Sequence, residues 1–135
     1  GIYILGSSAA HSVVQNTIFK NTSGVNHGLL SLTGGVNFYD GNITMNNVFF
    51  VSSSAEDSLN IIKANVDINN ISILNSFSDG FDCDYCQGKI TNSSFDSIGG
   101  DGLDFSGSVT ELDSLTFNNI KDNLYKKRSY KKYNL

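Results

Sequence analysis

The chain has 135 residues and a net charge of −4, a length suited to one domain. Only 16% of its residues are charged, and no run of about 18 apolar residues is present to serve as a transmembrane helix. The charge is divided unevenly: residues 1–125 hold all 13 acids against four lysines, a net of −9, while residues 126–135 hold five cations and no acid, a net of +5. An acidic body argues against nucleic acid as the main partner, because phosphate contacts need clustered cations.

From the start, Gly1-Ile2-Tyr3-Ile4 already alternates like a strand and lacks the basic start of a signal peptide. With no initiator methionine, the chain is expected to be a processed product or a piece of a longer polypeptide, whose further coils or domains are then among its partners. At Asn16–Phe19 a short phrase begins: asparagine, two spacers, a large apolar residue. It recurs at Asn47–Phe50, Asn70–Ile73 and Asn92–Phe95, and with serine first at Ser114–Phe117. The steps are 31, 23, 22 and 22 residues, and a fixed period near 22 is a solenoid signature. The long first step carries an insertion in Asn21–Gly35, the kind that forms a loop on one face of a solenoid.

Other positions keep the same register. Leu59, Phe81 and Leu103 form one series, Ile61, Cys83 and Phe105 a second, and Ile68, Ile90 and Leu112 a third. Apolar and polar residues alternate within each copy, as in Leu59-Asn60-Ile61, and turn formers separate the short runs. Three short strands per 22 residues, stacked coil on coil at about 4.8 Å, make a parallel β-helix of about five coils over residues 1–125. The asparagines Asn16, Asn47, Asn70 and Asn92 are expected to stack in one turn column. There the amides hydrogen-bond along the axis and the backbone takes a left-handed conformation that asparagine tolerates. The basic residues 126–135 read as a tail: a cap over the last coil, a frayed end, or a contact for an anionic surface.

The most chemically loaded stretches are Asp79–Asp84 and Asp101–Ser106. Asn60, Asp82 and Asp104 fall in one polar column between core positions, so they are expected to face outward, with Asp84 on the same face. Asp82, Asp84 and Asp104 then form a triangle with sides of roughly 5–7 Å. Two carboxylates at that distance repel by about 3 kcal/mol at an effective dielectric of 20. No cation stands next to them in the repeat alignment, so solvent, a raised pKa or a bound hard cation such as calcium must relieve the repulsion. Three readings of Asp82, Asp84 and Asp104 follow: a catalytic carboxylate pair for sugar chemistry, a calcium or sugar site, or a solvent-facing column with no role. Asp79 and Asp101 each precede a glycine and read as turn chemistry. Cys83-x-x-Cys86 lacks the helix start of a redox motif and the further ligands of a zinc site. It reads as two inert core thiols whose bridging strand geometry resists.

The repeats in Gly1–Ile4 and Val14–Asn21, with Ser78-Asp79-Gly80-Phe81-Asp82 and its echo Gly100-Asp101-Gly102-Leu103-Asp104, resemble right-handed parallel β-helix repeats of the pectate-lyase-like superfamily. Carbohydrate-binding proteins and sugar hydrolases share such repeats. The resemblance implies a right-handed coil and an extracellular or cell-envelope protein that is either a non-catalytic, polysaccharide-contacting surface module or a structural part of a larger surface protein. It also admits a polysaccharide lyase or glycoside hydrolase built on the aspartates. Superfamily hydrolases add histidine and a basic residue to such a cluster. Here His11 and His27 lie in the first coils and the only arginine is Arg128.

Overall fold

The structure, a computed structural model, describes residues 1–129. Alternating short apolar and polar residues give strands, and the described residues contain no helix. In chain order the strands are β1 (Ile2–Leu5), β2 (His11–Lys20), β3 (Val25–His27), β4 (Leu30–Leu32), β5 (Gly34–Ser53), β6 (Asp57–Ser76), β7 (Asp79–Asp84), β8 (Gln87–Ile98), β9 (Leu103–Ser106), β10 (Val109–Ile120) and β11 (Tyr125–Arg128). All except β3 and β4 pair in parallel, each with the strand one coil away. The result is an all-β parallel solenoid of about four turns, with coils about 22 residues apart.

Register follows the period. Val36 pairs with Leu59, Leu59 with Phe81, and Phe81 with Leu103. Phe38, Ile61, Cys83 and Phe105 line up beside them in the same ladders. All eight are buried, so the core is a set of apolar columns running along the axis rather than a cluster around one point. Phenylalanines repeat inside it: Phe19 stacks on Phe50 at 5.3 Å, Phe95 on Phe117 at 5.1 Å, and Phe105 meets Phe81 edge-on at 5.2 Å. Such ring pairs contribute about 0.5–1.5 kcal/mol beyond the area they bury.

The corners explain the asparagines. Asn16, Asn47, Asn70, Asn92 and Ser114 all have φ between 51° and 57°. This left-handed region costs most L-residues strain, and asparagine is enriched there. Asn47 Nδ2 donates to Asn16 Oδ1 at 2.9 Å and Asn70 Nδ2 to Asn47 Oδ1 at 3.4 Å, but Asn92 Nδ2 turns to Asn69 Oδ1 at 2.8 Å. Two further left-handed columns complete the corners: Asn21, Ser52, Asn75, Ser97 and Asn119, and Asp40, Lys63, Tyr85 and Gly107.

The insertion in Asn21–Gly35 is an antiparallel hairpin of β3 and β4, with Gly28 at φ 59° in its turn. At the other end, β11 adds one more strand to the stack, pairing Tyr125–Arg128 with Leu103–Ser106. Tyr125 sets its ring edge-on to Phe105 at 5.7 Å, so the start of the basic segment closes the apolar column as a cap would. The rest of the expected cap, Tyr130 to Leu135, lies outside the described residues.

Candidate functional site

Two polar columns lie side by side on one wall, three residues apart in each coil. One runs Asn37, Asn60, Asp82, Asp104, Lys126. The other runs Gly34, Asp57, Asp79, then Asp101 and Asn123 at successive steps of 22. In the upper coil the partnership is neutral: Asn37 Oδ1 accepts from the Gly34 N–H at 2.9 Å, and its Nδ2 donates to the carbonyl oxygens of Gly34 at 2.6 Å and Ile2 at 3.0 Å. Further down, both columns become aspartate, and a carboxylate cannot donate to the turn.

Asp79 and Asp101 do the turn work expected of them, in a repeating form. Asp79 Oδ1 accepts the Asp101 N–H at 2.8 Å, and one coil on Asp101 Oδ1 accepts the Asn123 N–H at 2.8 Å. Each aspartate thus ties its turn to the next. Asn123 Nδ2 adds a bond to Asp101 at 2.9 Å.

Asp82 and Asp104 come together as register partners, and Asp84 stands two residues along the same strand, opposite Ser106. The column points away from the apolar core, as alternation requires, but it is largely covered: Asn60 and Asp104 are each only 6% exposed, and Asp82 and Asp84 are half-buried. Asn60 is covered from the hairpin side, where its Nδ2 donates to Thr33 Oγ1 at 3.1 Å. Asp104 is covered by β11. Arg128 Nη2 donates to Asp104 Oδ2 at 2.8 Å, and Lys126 Nζ lies 3.6 Å from Asp101 Oδ2. The expectation of no adjacent cation is therefore corrected. The basic segment continues the stack for one more strand and lands its charges on the acidic wall.

Burial without enough partners pushes several carboxyls upward. Desolvation raises Asp57 to about 7, helped by the charges of Asp79, Glu56 and Asp104 and opposed by a hydrogen bond from Thr33. Asp82 rises to about 8 through desolvation and then the charges of Asp57, Asp84, Asp104 and Asp79. Asp79 and Asp84 rise for the same first reason, with the N–H of Asp101 and the Arg128 charge, respectively, pulling back. Burial also raises Asp104, against Arg128 and Lys126. At Asp101 burial is outweighed by the two Asn123 N–H bonds and by Lys126, which hold it below the usual carboxylate value.

Among the described residues, Asp79, Asp101 and Asp104 bring one carboxylate oxygen each within 4.8 Å of the others. This trio shares only Asp104 with the sequence-derived trio of Asp82, Asp84 and Asp104. Asp57 was overlooked, although its spacing of 22 from Asp79 and 44 from Asp101 puts it in the same repeat.

Cys83 and Cys86 are joined in a disulfide, not left as thiols. The strand does not resist the bridge because it ends between them: Tyr85 takes φ 55° and turns the corner from β7 to β8. That brings the two Cα atoms to 5.9 Å, within disulfide reach. Ser108 of the next coil braces the corner, its Oγ accepting from the Cys86 N–H at 2.9 Å and donating to the Cys83 carbonyl at 2.8 Å.

The same corner carries two shallow hollows, both touched by Tyr85. One of about 210 Å³ is lined by Asp40, Lys63, Asn65, Tyr85 and Gln87 among others. One of about 450 Å³ is lined by Tyr85, Ser108, Val109, Lys127 and Arg128 among others. Tyr85 is 50% exposed. Among the described residues no helix is long and apolar enough to cross a membrane. Compared with protein-family models, with curated proteins and with solved structures, the chain gives no match.

Proposed function

We propose that the chain is a non-catalytic β-helix module of a secreted or surface-displayed protein, contacting polysaccharide along the Tyr85 corner or serving as a structural part of a larger surface protein. The observation that carries the polysaccharide reading is the lining of the two hollows. A half-exposed tyrosine ring flanked by Asp40, Lys63, Asn65 and Gln87 offers an apolar platform for a sugar ring with hydrogen-bonding groups around it. The disulfide supports an oxidising compartment, hence an extracellular or cell-envelope location. The resemblance to right-handed pectate-lyase-like repeats points the same way. Retention of the full chain on a glycan array, lost in Tyr85→Ala with unchanged thermal stability, is the expected result. An array with no retained glycan, or retention unaffected by Tyr85→Ala and Gln87→Ala, refutes the sugar reading.

A second reading, a polysaccharide lyase or glycoside hydrolase, is favoured by Asp82. A carboxyl raised to about 8 stays protonated at neutral pH and suits a general acid, with Asp104 beside it in the register and Asp84 on the same strand. Reducing-sugar or unsaturated-uronate release that vanishes in both Asp82→Asn and Asp104→Asn supports it. Release that persists in those variants removes it.

A further inference from the structure

Three buried oxygens on the acidic wall have no hydrogen-bond partner: Asp57 Oδ2, Asn60 Oδ1 and Asp104 Oδ1. Their residues are 2%, 6% and 6% exposed. Orphaned buried acceptors cost free energy comparable to a lost hydrogen bond each, and native chains rarely leave several together. Two of them are adjacent to, or part of, the one group of described carboxylates whose oxygens converge: Asp104 belongs to it, and Asp57 pairs in register with Asp79. The repulsion at the wall is only partly relieved by Lys126 and Arg128. Both bind outer oxygens, Asp101 Oδ2 and Asp104 Oδ2, and leave Asp104 Oδ1 unpartnered.

We propose that Asp79, Asp101 and Asp104 hold one calcium ion as a structural cation beneath the β11 strand. All the donors are oxygens, which selects a hard cation over zinc or copper. Calcium is favoured among the hard cations because it accepts an irregular oxygen set, whereas magnesium demands a tighter, near-octahedral one. The three converging oxygens lie within 4.8 Å of one another, so small side-chain rotations bring them onto one calcium. Those turns are fixed by the repeated carboxylate-to-N–H bonds of Asp79 and Asp101, which makes the site rigid. The ion would supply the charge that the change from asparagine to aspartate down the two columns demands. It does not rest on the sugar reading, since neither hollow at Tyr85 is lined by any of these carboxylates.

The test is equilibrium dialysis of the full chain, stripped with EDTA, against calcium chloride at neutral pH and fixed ionic strength. About one calcium per chain with a dissociation constant of about 1 mM or tighter is expected, with magnesium at least about ten-fold weaker. Asp79→Asn and Asp104→Asn should each weaken binding by about ten-fold or more, while Asp67→Asn and Asp113→Asn, exposed acids on other faces, leave it unchanged. Uptake well below about half an ion per chain at about 1 mM free calcium overturns the proposal, as does uptake that survives Asp79→Asn, Asp101→Asn and Asp104→Asn alike. Wild-type uptake decides the matter even where one variant does not fold.

Discussion

The left-handed corner columns predict that glycine is nearly neutral at one corner and stabilising at another. Asn70 sits at φ 56° with an asparagine; Lys63 sits at φ 57° with a long side chain that gains nothing from that conformation. In Asn70→Ala the amide bond to Asn47 is lost, worth about 0.5 kcal/mol at an exposed site. The corner also passes from a residue that tolerates the left-handed region to one that pays about 1 kcal/mol for it. The expected loss is about 1–2 kcal/mol, or roughly 3–8 °C in melting temperature for a chain of this size. Asn70→Gly loses the same amide but relieves the strain, so it should fall within about 0.5 kcal/mol of wild type. Lys63→Gly should stabilise by about 0.5–1 kcal/mol, since the ion pair it breaks, to the half-buried Asp40, is long at 3.7 Å, has an exposed lysine end and is worth little. Thermal unfolding followed by far-ultraviolet circular dichroism measures all three. If Asn70→Gly is as damaging as Asn70→Ala, the amide ladder and not the backbone sets the corner. If Lys63→Gly destabilises, the strain argument is wrong.

Stability should fall as pH rises through 7–8 when measured with EDTA present. Asp57 and Asp82, raised to about 7 and about 8, keep protons in the fold that the unfolded chain releases near 4, so stability is full below that value and is lost above it. At about 1.4 kcal/mol per unit, and with the shifts shared among coupled carboxyls, a loss of about 2–4 kcal/mol between pH 5.5 and 8.5 is expected. Asp57→Asn should flatten that slope, and a flat wild-type profile contradicts the burial argument. Arg128→Ala removes the partner of a buried carboxylate; because the arginine side chain is 55% exposed, the cost should be about 1–3 kcal/mol, read by chemical denaturation at pH 7. Reduction of Cys83–Cys86 should be slow in the native protein, since both sulfurs are buried, and should cost about 2 kcal/mol for so short a loop. Rapid labelling of the reduced thiols without denaturant would contradict that burial.

Much of the fold is legible in the sequence because a solenoid writes its contacts as a period. A residue and its neighbour one coil away differ by 22 or 23 positions, so Leu59, Phe81 and Leu103 announce their stacking without any distance information. The first turn column was legible for the same reason: asparagine is both the best non-glycine residue for a left-handed corner and a self-complementary hydrogen bonder. The third column was not. Asp40, Lys63, Tyr85 and Gly107 share a backbone conformation but no side-chain chemistry, and composition cannot report a φ angle. The disulfide was hidden behind that same omission. Without the corner at Tyr85, Cys83 and Cys86 read as residues of one continuous strand, where a bridge between them is disfavoured.

The acidic wall shows where periodicity stops being sufficient. Alternation says correctly that Asn60, Asp82 and Asp104 point away from the core, but it treats the outside of a strand as solvent. Here the outside of one column is the flank of the next: Asp57, Asp79 and Asp101 occupy the neighbouring column, and Thr33 and Arg128 come over the top. The hairpin insertion breaks the period, so Thr33 carries no register and its destination is invisible in the sequence. The basic segment keeps the period, with Lys126 paired to Asp104 and Arg128 to Ser106, but it reverses the charge and so sets cations on a wall of acids. The electrostatics of this wall are therefore set where its columns end. Substituting a residue in mid-column alters one layer, whereas removing Arg128 or Thr33 uncovers carboxyl and amide groups that the coils have already buried.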